Sequence, residues 1–253
     1  MSGMEETYNS LSACYDDMTR DVNYPAWADY LESHFAREKK PVHTVLDLAC
    51  GTGTMSFLLA ERDYEVIGVD FSPEMLAQTF EKELSEDKER PIFLCQPMEE
   101  LDLYGTVDAC VCLLDSVNHV TDPATLKKAF GRVRLFLEPG GLFLFDVHTP
   151  QHLEGLDGGI FLDETEEAYC VWRTDYDPRE RICTYAMDVF HREEDDLWFR
   201  DGDVHEEYAY TMEELTAYLE EAGFVDIRQY GSLKLTEPAE GEDRVFFTAR
   251  KPE

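Results

Sequence analysis

Apolar and polar positions along this chain follow two different periods. Between 41 and 150, short apolar runs near 44–49, 65–70, 91–95, 107–113 and 141–147 predict buried strands. Segments of helical spacing separate them, near 53–62, 73–88 and 123–137. Ser72-Pro73-Glu74 is a strong helix start, with a capping hydroxyl, a proline at the first position and an acid in the first turn. Asp122-Pro123 repeats that logic, and Glu138-Pro139-Gly140-Gly141 predicts a tight turn before the fifth strand. Strands alternating with helices predict a parallel sheet covered on both faces.

The flanks read differently. Residues 4–40 have helical spacing, with Tyr8, Leu11, Tyr15 and Met18 on one face and Trp27, Tyr30, Leu31 and Phe35 on another; Pro41 ends the region. Residues 151–159 are glycine-rich and predict a loop. Residues 167–175, 181–190 and 197–210 alternate apolar with polar positions and predict an antiparallel meander of three strands. Thr211-Met212-Glu213-Glu214 is a capping box opening a helix that runs to Glu221 and stops at Gly223. Two last strands follow, near 224–230 and 244–250. The expected fold is α/β: a Rossmann-like, seven-stranded, mostly parallel sheet with helices on both faces. Its parts are a helical cap (1–40), a core (41–150), an inserted antiparallel sheet (151–210) and the C-terminal part of the core (211–253).

Chemistry enters with Val45-Leu46-Asp47-Leu48-Ala49-Cys50-Gly51-Thr52-Gly53, a first strand feeding a glycine loop. The glycines let the backbone turn sharply and approach a ligand. The second strand ends in Asp70, an acid placed to accept from two ribose hydroxyls. A dinucleotide would set its pyrophosphate on this loop, and Asp47 would repel it. Ser56 also stands where the third glycine of the dinucleotide fingerprint belongs. S-adenosylmethionine carries an ammonium and a sulfonium and no phosphate, so an acid suits it.

At these residues the chain resembles the class I S-adenosylmethionine-dependent methyltransferases of the small-molecule type. The resemblance covers 41–150 and 211–250 well, 1–40 loosely and 151–210 weakly. It implies S-adenosylmethionine as cofactor and S-adenosylhomocysteine as product. In the first motif it implies cofactor contacts from Asp47, Ala49, Gly51 and Gly53. In the second, Asp70 would hold the ribose, Phe71 would pack near the adenine and Met75 lies in the same motif. Pro97 stands where relatives have an acid for the adenine amino group, leaving that contact to Gln96 or to the Met98 backbone. Leu114 and Asp115 at the fourth strand's exit, and Tyr15 and Arg20 from the N-terminal segment, complete the implied cofactor set, with Arg20 facing the methionine carboxylate.

The carboxyl ends of the strands are where such sheets place their reaction centre. Asp115, Ser116, Asn118 and His119 follow the fourth strand, and Asp146 and His148 close the fifth. Asp115, His119 and His148 are the candidate catalytic residues. His148 and His152 are four apart with Pro150 between them, so no metal pair on one helix face is expected, and no metal site is assigned. The Asn/Asp-Pro-Pro-Tyr/Phe motif of some amino-group methyltransferases is absent.

Of the 253 residues, 55 are acidic against 22 Lys plus Arg, for a net charge of -33. Binding phosphates requires cations, so neither nucleic acid nor an anionic membrane surface is an expected partner. The scattered cysteines and the lack of a leader-like segment in residues 1–17 fit a cytoplasmic protein. The inserted sheet, rich in aromatics, is expected to line a substrate pocket or a homodimer contact. The function implied is methyl transfer from S-adenosylmethionine to an amine or hydroxyl of a small molecule. The rivals are a non-catalytic S-adenosylmethionine-binding module and an NAD-dependent oxidoreductase.

Overall fold

The computed structural model describes residues 15–164, 168–192 and 197–253. A seven-stranded sheet runs in the order β10-β11-β5-β4-β1-β2-β3. Its strands are β1 (Thr44–Leu48), β2 (Glu65–Asp70), β3 (Ile92–Cys95), β4 (Val107–Cys112), β5 (Leu137–His148), β10 (Val225–Gly231) and β11 (Arg244–Arg250). Pairs among β1 to β5 are parallel, while β11 lies antiparallel to both β5 and β10. A parallel sheet must be covered on both faces, and this one is. Leu46 and Leu48 join the cluster containing Phe130 of α5 (Pro123–Phe136) and Leu219 of α7 (Met212–Ala222). Val45 points the other way, into the cluster of Trp27 and Leu31 of α2 (Tyr24–Phe35) and Leu59 of α3 (Thr54–Glu61).

A second sheet, order β6-β7-β8-β9, is antiparallel throughout: Ile160–Glu164, Ala168–Asp177, Ile182–Arg192 and Trp198–Tyr208. Cys170, Met187 and Val189 on its inner face pack with Tyr15 of the short helix α1 (Tyr15–Met18). Its outer face carries exposed Ile160, Leu162, Trp198 and Val204. Among the described residues no helix is long and apolar enough to cross a membrane.

Several local expectations are corrected. The meander has four strands, because Ile160–Glu164 pairs along Tyr169–Arg173 as an edge strand. The stretch expected as a loop at 151–159 begins in α6 (Pro150–Gly155), whose cap Thr149 accepts from the His152 amide at 3.3 Å. Thr149-Pro150 is the same cap-and-proline start as Ser72-Pro73, and reading it so would have found the helix. The helix expected over 73–88 is α4 (Pro73–Gln78) followed by a 3-10 turn, Thr79–Glu81. Arg90 stops it there by donating to the carbonyls of Thr79 and Lys82. The turn expected at 138–141 lies inside β5 as an irregularity in its pairing with β4, with Gly140 at φ +82°. Tyr8, Leu11 and the side chain of Met18 lie outside the described residues.

Asn118 fastens the two sheets. Its side chain donates to the carbonyls of His148 and Tyr208, both at 3.1 Å, and accepts from the His148 amide at 3.0 Å. Its own carbonyl accepts from the Tyr208 amide at 2.8 Å. The residue is fully buried, so Asn118→Ala strands several backbone groups away from water. The expected cost is about 2–3 kcal/mol, read as a fall of roughly 5–10 °C in Tm; an unchanged melting curve would show that the clasp carries no load.

Candidate functional site

The first motif folds as its residue types require. After β1, the backbone enters the left-handed region at Ala49 (φ 58°), Gly51 (φ 55°) and Gly53 (φ 78°). The Asp70 carboxylate holds this loop to β2, accepting from the Gly51 amide at 2.8 Å and the Ser72 amide at 2.9 Å. Burial pushes the Asp70 pKa up, against those amide hydrogen bonds. Asp47 is buried at the end of β1 and accepts from Ser56 Oγ at 2.5 Å. Burial, with Asp70 nearby, pushes its carboxyl up to about 7. The residue that breaks the dinucleotide fingerprint is thus the one that holds the acid.

A cleft opens over this loop, lined by Tyr15, Tyr24, Trp27, Asp47, Gly51 and Leu114 among others, none of them basic. A Cβ on Gly51 would meet nothing within 4 Å, so the loop faces open space. One acid, Asp47, and aromatic rings without a lining cation suit a ligand carrying an ammonium and a sulfonium, and they oppose a pyrophosphate. The residues present therefore fit S-adenosylmethionine.

Of the residues expected at the cofactor, Tyr15, Asp47, Ala49, Gly51 and Leu114 line the cleft together. Gly53 caps α3, Met75 is buried in α4 and Phe71 is exposed beside Asp70. Gln96 spends its side chain on the backbone of Asp102, at 2.9 and 3.2 Å. Met98 opens a 3-10 turn that packs against the core. Arg20 pairs with Asp163 at 3.3 Å and donates to the Glu164 carbonyl at 2.9 Å, tying the N-terminal segment to β6.

The exit of β4 is strained. Leu114 (φ 56°) and Asp115 (φ 54°) are consecutive left-handed residues that are not glycine. Asp146, fully buried on β5, accepts from both of their amides, at 2.8 and 3.0 Å. Arg244 of β11 reaches the same carboxylate and also binds Asp115 Oδ1 at 2.6 Å. Burial alone would raise the Asp115 pKa, but His148, Arg244 and His119 hold it well below the carboxylate range.

His148 links the two sheets. Its Nδ1 lies 2.9 Å from Oε2 of Glu207, on the inner face of β9 and 2% exposed. Its Nε2 lies 2.7 Å from an Arg244 amino group. A guanidinium only donates, so Nε2 accepts, Nδ1–H donates to Glu207 and the ring is neutral in this arrangement. Burial lowers the His148 pKa, Asp115 and Glu207 outweigh it to a net rise, and Arg244 opposes them. His119 Nε2 lies 3.7 Å from Asp115 Oδ2, and its ring packs 5.3 Å from that of His205.

Thus Asp115, His119 and His148, expected as catalytic, meet in one cluster. Ser116 lines the cofactor cleft and donates to the Leu113 carbonyl, and Asn118 is the clasp between the sheets. Sequence reasoning missed Glu207, Arg244 and His205, while Tyr185 was among the aromatics expected on the inserted sheet. Glu207 had a signal: it is an acid at an inward position of an alternating strand. Arg244 had one too, as the lone base closing an acidic run.

Comparison with known proteins agrees with this fold. The family model described as "Methyltransferase domain" matches residues 45–141. YqeM of Bacillus subtilis (strain 168) is 30% identical over 246 residues, covering 96% of this chain and 97% of that protein. A glycine/sarcosine N-methyltransferase of Parasynechococcus marenigrum (strain WH8102) is 29% identical over 159 residues, 61% of this chain and 56% of that one. Among solved structures, an S-adenosylmethionine-dependent methyltransferase from Clostridium acetobutylicum ATCC 824 superposes with a TM-score of 0.84 at 27% identity, over 97% of this chain and 99% of that one. With an acid-lined, cation-free cleft over its glycine loop, the chain belongs to the class I S-adenosylmethionine-dependent methyltransferases.

Proposed function

We propose that this methyltransferase acts on an amine or hydroxyl group of a small molecule, in the chamber between the ends of β4 and β5 and the inner face of the second sheet. The observation that carries the reading is the convergence of Asp115, His119 and His148 with Glu207 beside the cofactor cleft. Such a chamber suits a compact polar acceptor. The net charge of -33 speaks against a polyanionic one. The glycine/sarcosine relative points the same way by name. The free thiols of the described cysteines support a reducing, cytoplasmic setting.

The cofactor supplies a methyl group on a sulfonium, which is already a good leaving group. The protein's task is then to align the acceptor and keep water out. Tyr15 and Leu114, in the cleft wall, define where the acceptor meets the cofactor. Asp115, anchored by Arg244, offers a carboxylate to a donor group of the acceptor. Proton removal is required only of a protonated nucleophile. His148 is placed to take that proton on Nε2 by exchanging its one contact with Arg244, which stays bound to Asp115 and Asp146, and Glu207 holds its Nδ1–H.

The direct test is transfer of isotopically labelled methyl from S-adenosylmethionine into a panel of small amines, alcohols and acids. Labelled product with at least one amine or hydroxyl compound is the expected result. Tight cofactor binding with no transfer to any of them would favour the non-catalytic reading.

Two predictions concern the cofactor site. Asp70→Ala removes both the ribose acceptor and the tie on Gly51; calorimetry should show S-adenosylhomocysteine affinity falling at least tenfold, and retained affinity would refute the contact. Asp47 sets a pH dependence. Its carboxyl is about 7 in the free protein, and its ionised form attracts the cationic cofactor. Affinity should therefore rise as pH goes from 6 to 8, approaching tenfold per unit below 7 and flattening above. Asp47→Asn should abolish the slope, and a slope that persists would assign it elsewhere.

A further inference from the structure

Asp115 and His119 leave the end of β4, and Glu207 reaches them from β9. One ligating atom from each lies within 4.8 Å of the other two. We propose that Asp115, His119 and Glu207 form a binding site for a divalent first-row metal ion at the acceptor end of the chamber. This goes beyond methyl transfer and rests on the cluster itself.

The donor set is right for such an ion: two carboxylates and an imidazole suit manganese, cobalt or zinc better than a soft metal. Each donor is also oriented from outside. Arg244 holds Asp115 Oδ1, leaving Oδ2 on the side of His119. His148 holds Glu207 Oε2, leaving Oε1. The His119 ring donates to the Glu206 backbone carbonyl. Outer groups of this kind fix the tautomer and direction of metal ligands.

Charge gives an independent reason. Asp115, Asp146 and Glu207 bring three carboxylates to the chamber against the single guanidinium of Arg244. That excess of acidic groups over fixed cations favours a further cation at the site. A second observation points into the same space. Tyr185 on β8 is 6% exposed, and its hydroxyl is turned toward Glu207, with Asp115 nearby. Three protein ligands leave coordination positions for water or for an oxygen of the acceptor. Sequence reasoning looked for a metal pair on one helix and found none; this cluster is assembled from two strand ends that only folding brings together.

The test uses the full chain, stripped with a chelator and titrated with Co²⁺ alone and with Mn²⁺ alone. A single Co²⁺ should bind per chain, with visible absorption bands of a nitrogen- and oxygen-ligated ion. His119→Ala and Glu207→Gln should each weaken binding by about tenfold or more, while S-adenosylhomocysteine affinity stays unchanged and reports an intact fold. Absence of binding at millimolar metal, or binding that survives both substitutions, would overturn the proposal. A wild-type chain that takes up Co²⁺ and yet fails to bind S-adenosylhomocysteine would sink the methyltransferase reading and leave the metal site standing.

Discussion

The Asp146 carboxylate is the fixed point on which the reaction end of this molecule depends. It lies fully buried on β5, an interior strand of the sheet, and accepts from the amides of Leu114 and Asp115 and from Arg244. Two consecutive non-glycine residues in the left-handed region cost roughly 1–3 kcal/mol each. Charge-assisted hydrogen bonds to an ionised carboxylate contribute about 1.5–3 kcal/mol each, enough to hold that shape. The cleft over the glycine loop and the cluster of Asp115, His119 and His148 share this loop: Leu114 lines the first and Asp115 belongs to the second. Removing one partner of a buried pair like Asp146 and Arg244 costs about 3–5 kcal/mol, because the other charge is left alone in the core. The geometry at the methyl-transfer point is therefore set from behind, by groups that need not touch either ligand.

What the sequence made legible follows from how local each signal is. The turn Asp47 to Gly53 and the acid Asp70 act on backbone within a few residues, so the motif and its pairing appear where expected. The caps at Ser72, Asp122 and Thr211 are local as well, and each accepts the amide hydrogen bonds a cap requires. The chamber is different. Asp115 is joined to Arg244 across 129 positions, and His148 to Glu207 across 59. No periodicity encodes those meetings; they follow from β11 inserting antiparallel beside β5 and from the second sheet folding over its end. The extra strand Ile160–Glu164 was hidden for a related reason. It is an edge strand with exposed apolar residues, so it lacks the alternation that betrays a half-buried strand.

Acidity has two origins in this chain that composition alone merges. Most acids lie on the surface, where they set solubility and repel polyanions. A few are buried at function: Asp47, Asp70, Asp146 and Glu207 are each less than 9% exposed. Their partners separate their roles. Asp70 and Asp146 accept backbone amides and shape loops, Glu207 holds an imidazole, and Asp47 accepts from Ser56. Burial raises the Asp47 carboxyl beside an open cleft, where an arriving cation would favour its ionised form.

The second sheet completes the division of labour. The central sheet supplies the cofactor loop and the strained exit of β4, both built from parallel strands whose ends point the same way. It offers nothing above them. The inserted strands bring Glu207 and Tyr185 from the opposite side, and Tyr15 is caught between that sheet and the cofactor cleft. Asn118 locks the two layers by binding the backbone of β5 and β9 at once. The His148–Glu207 contact ties the same two layers through side chains, so the inner face of the second sheet is fastened both by backbone and by side-chain groups.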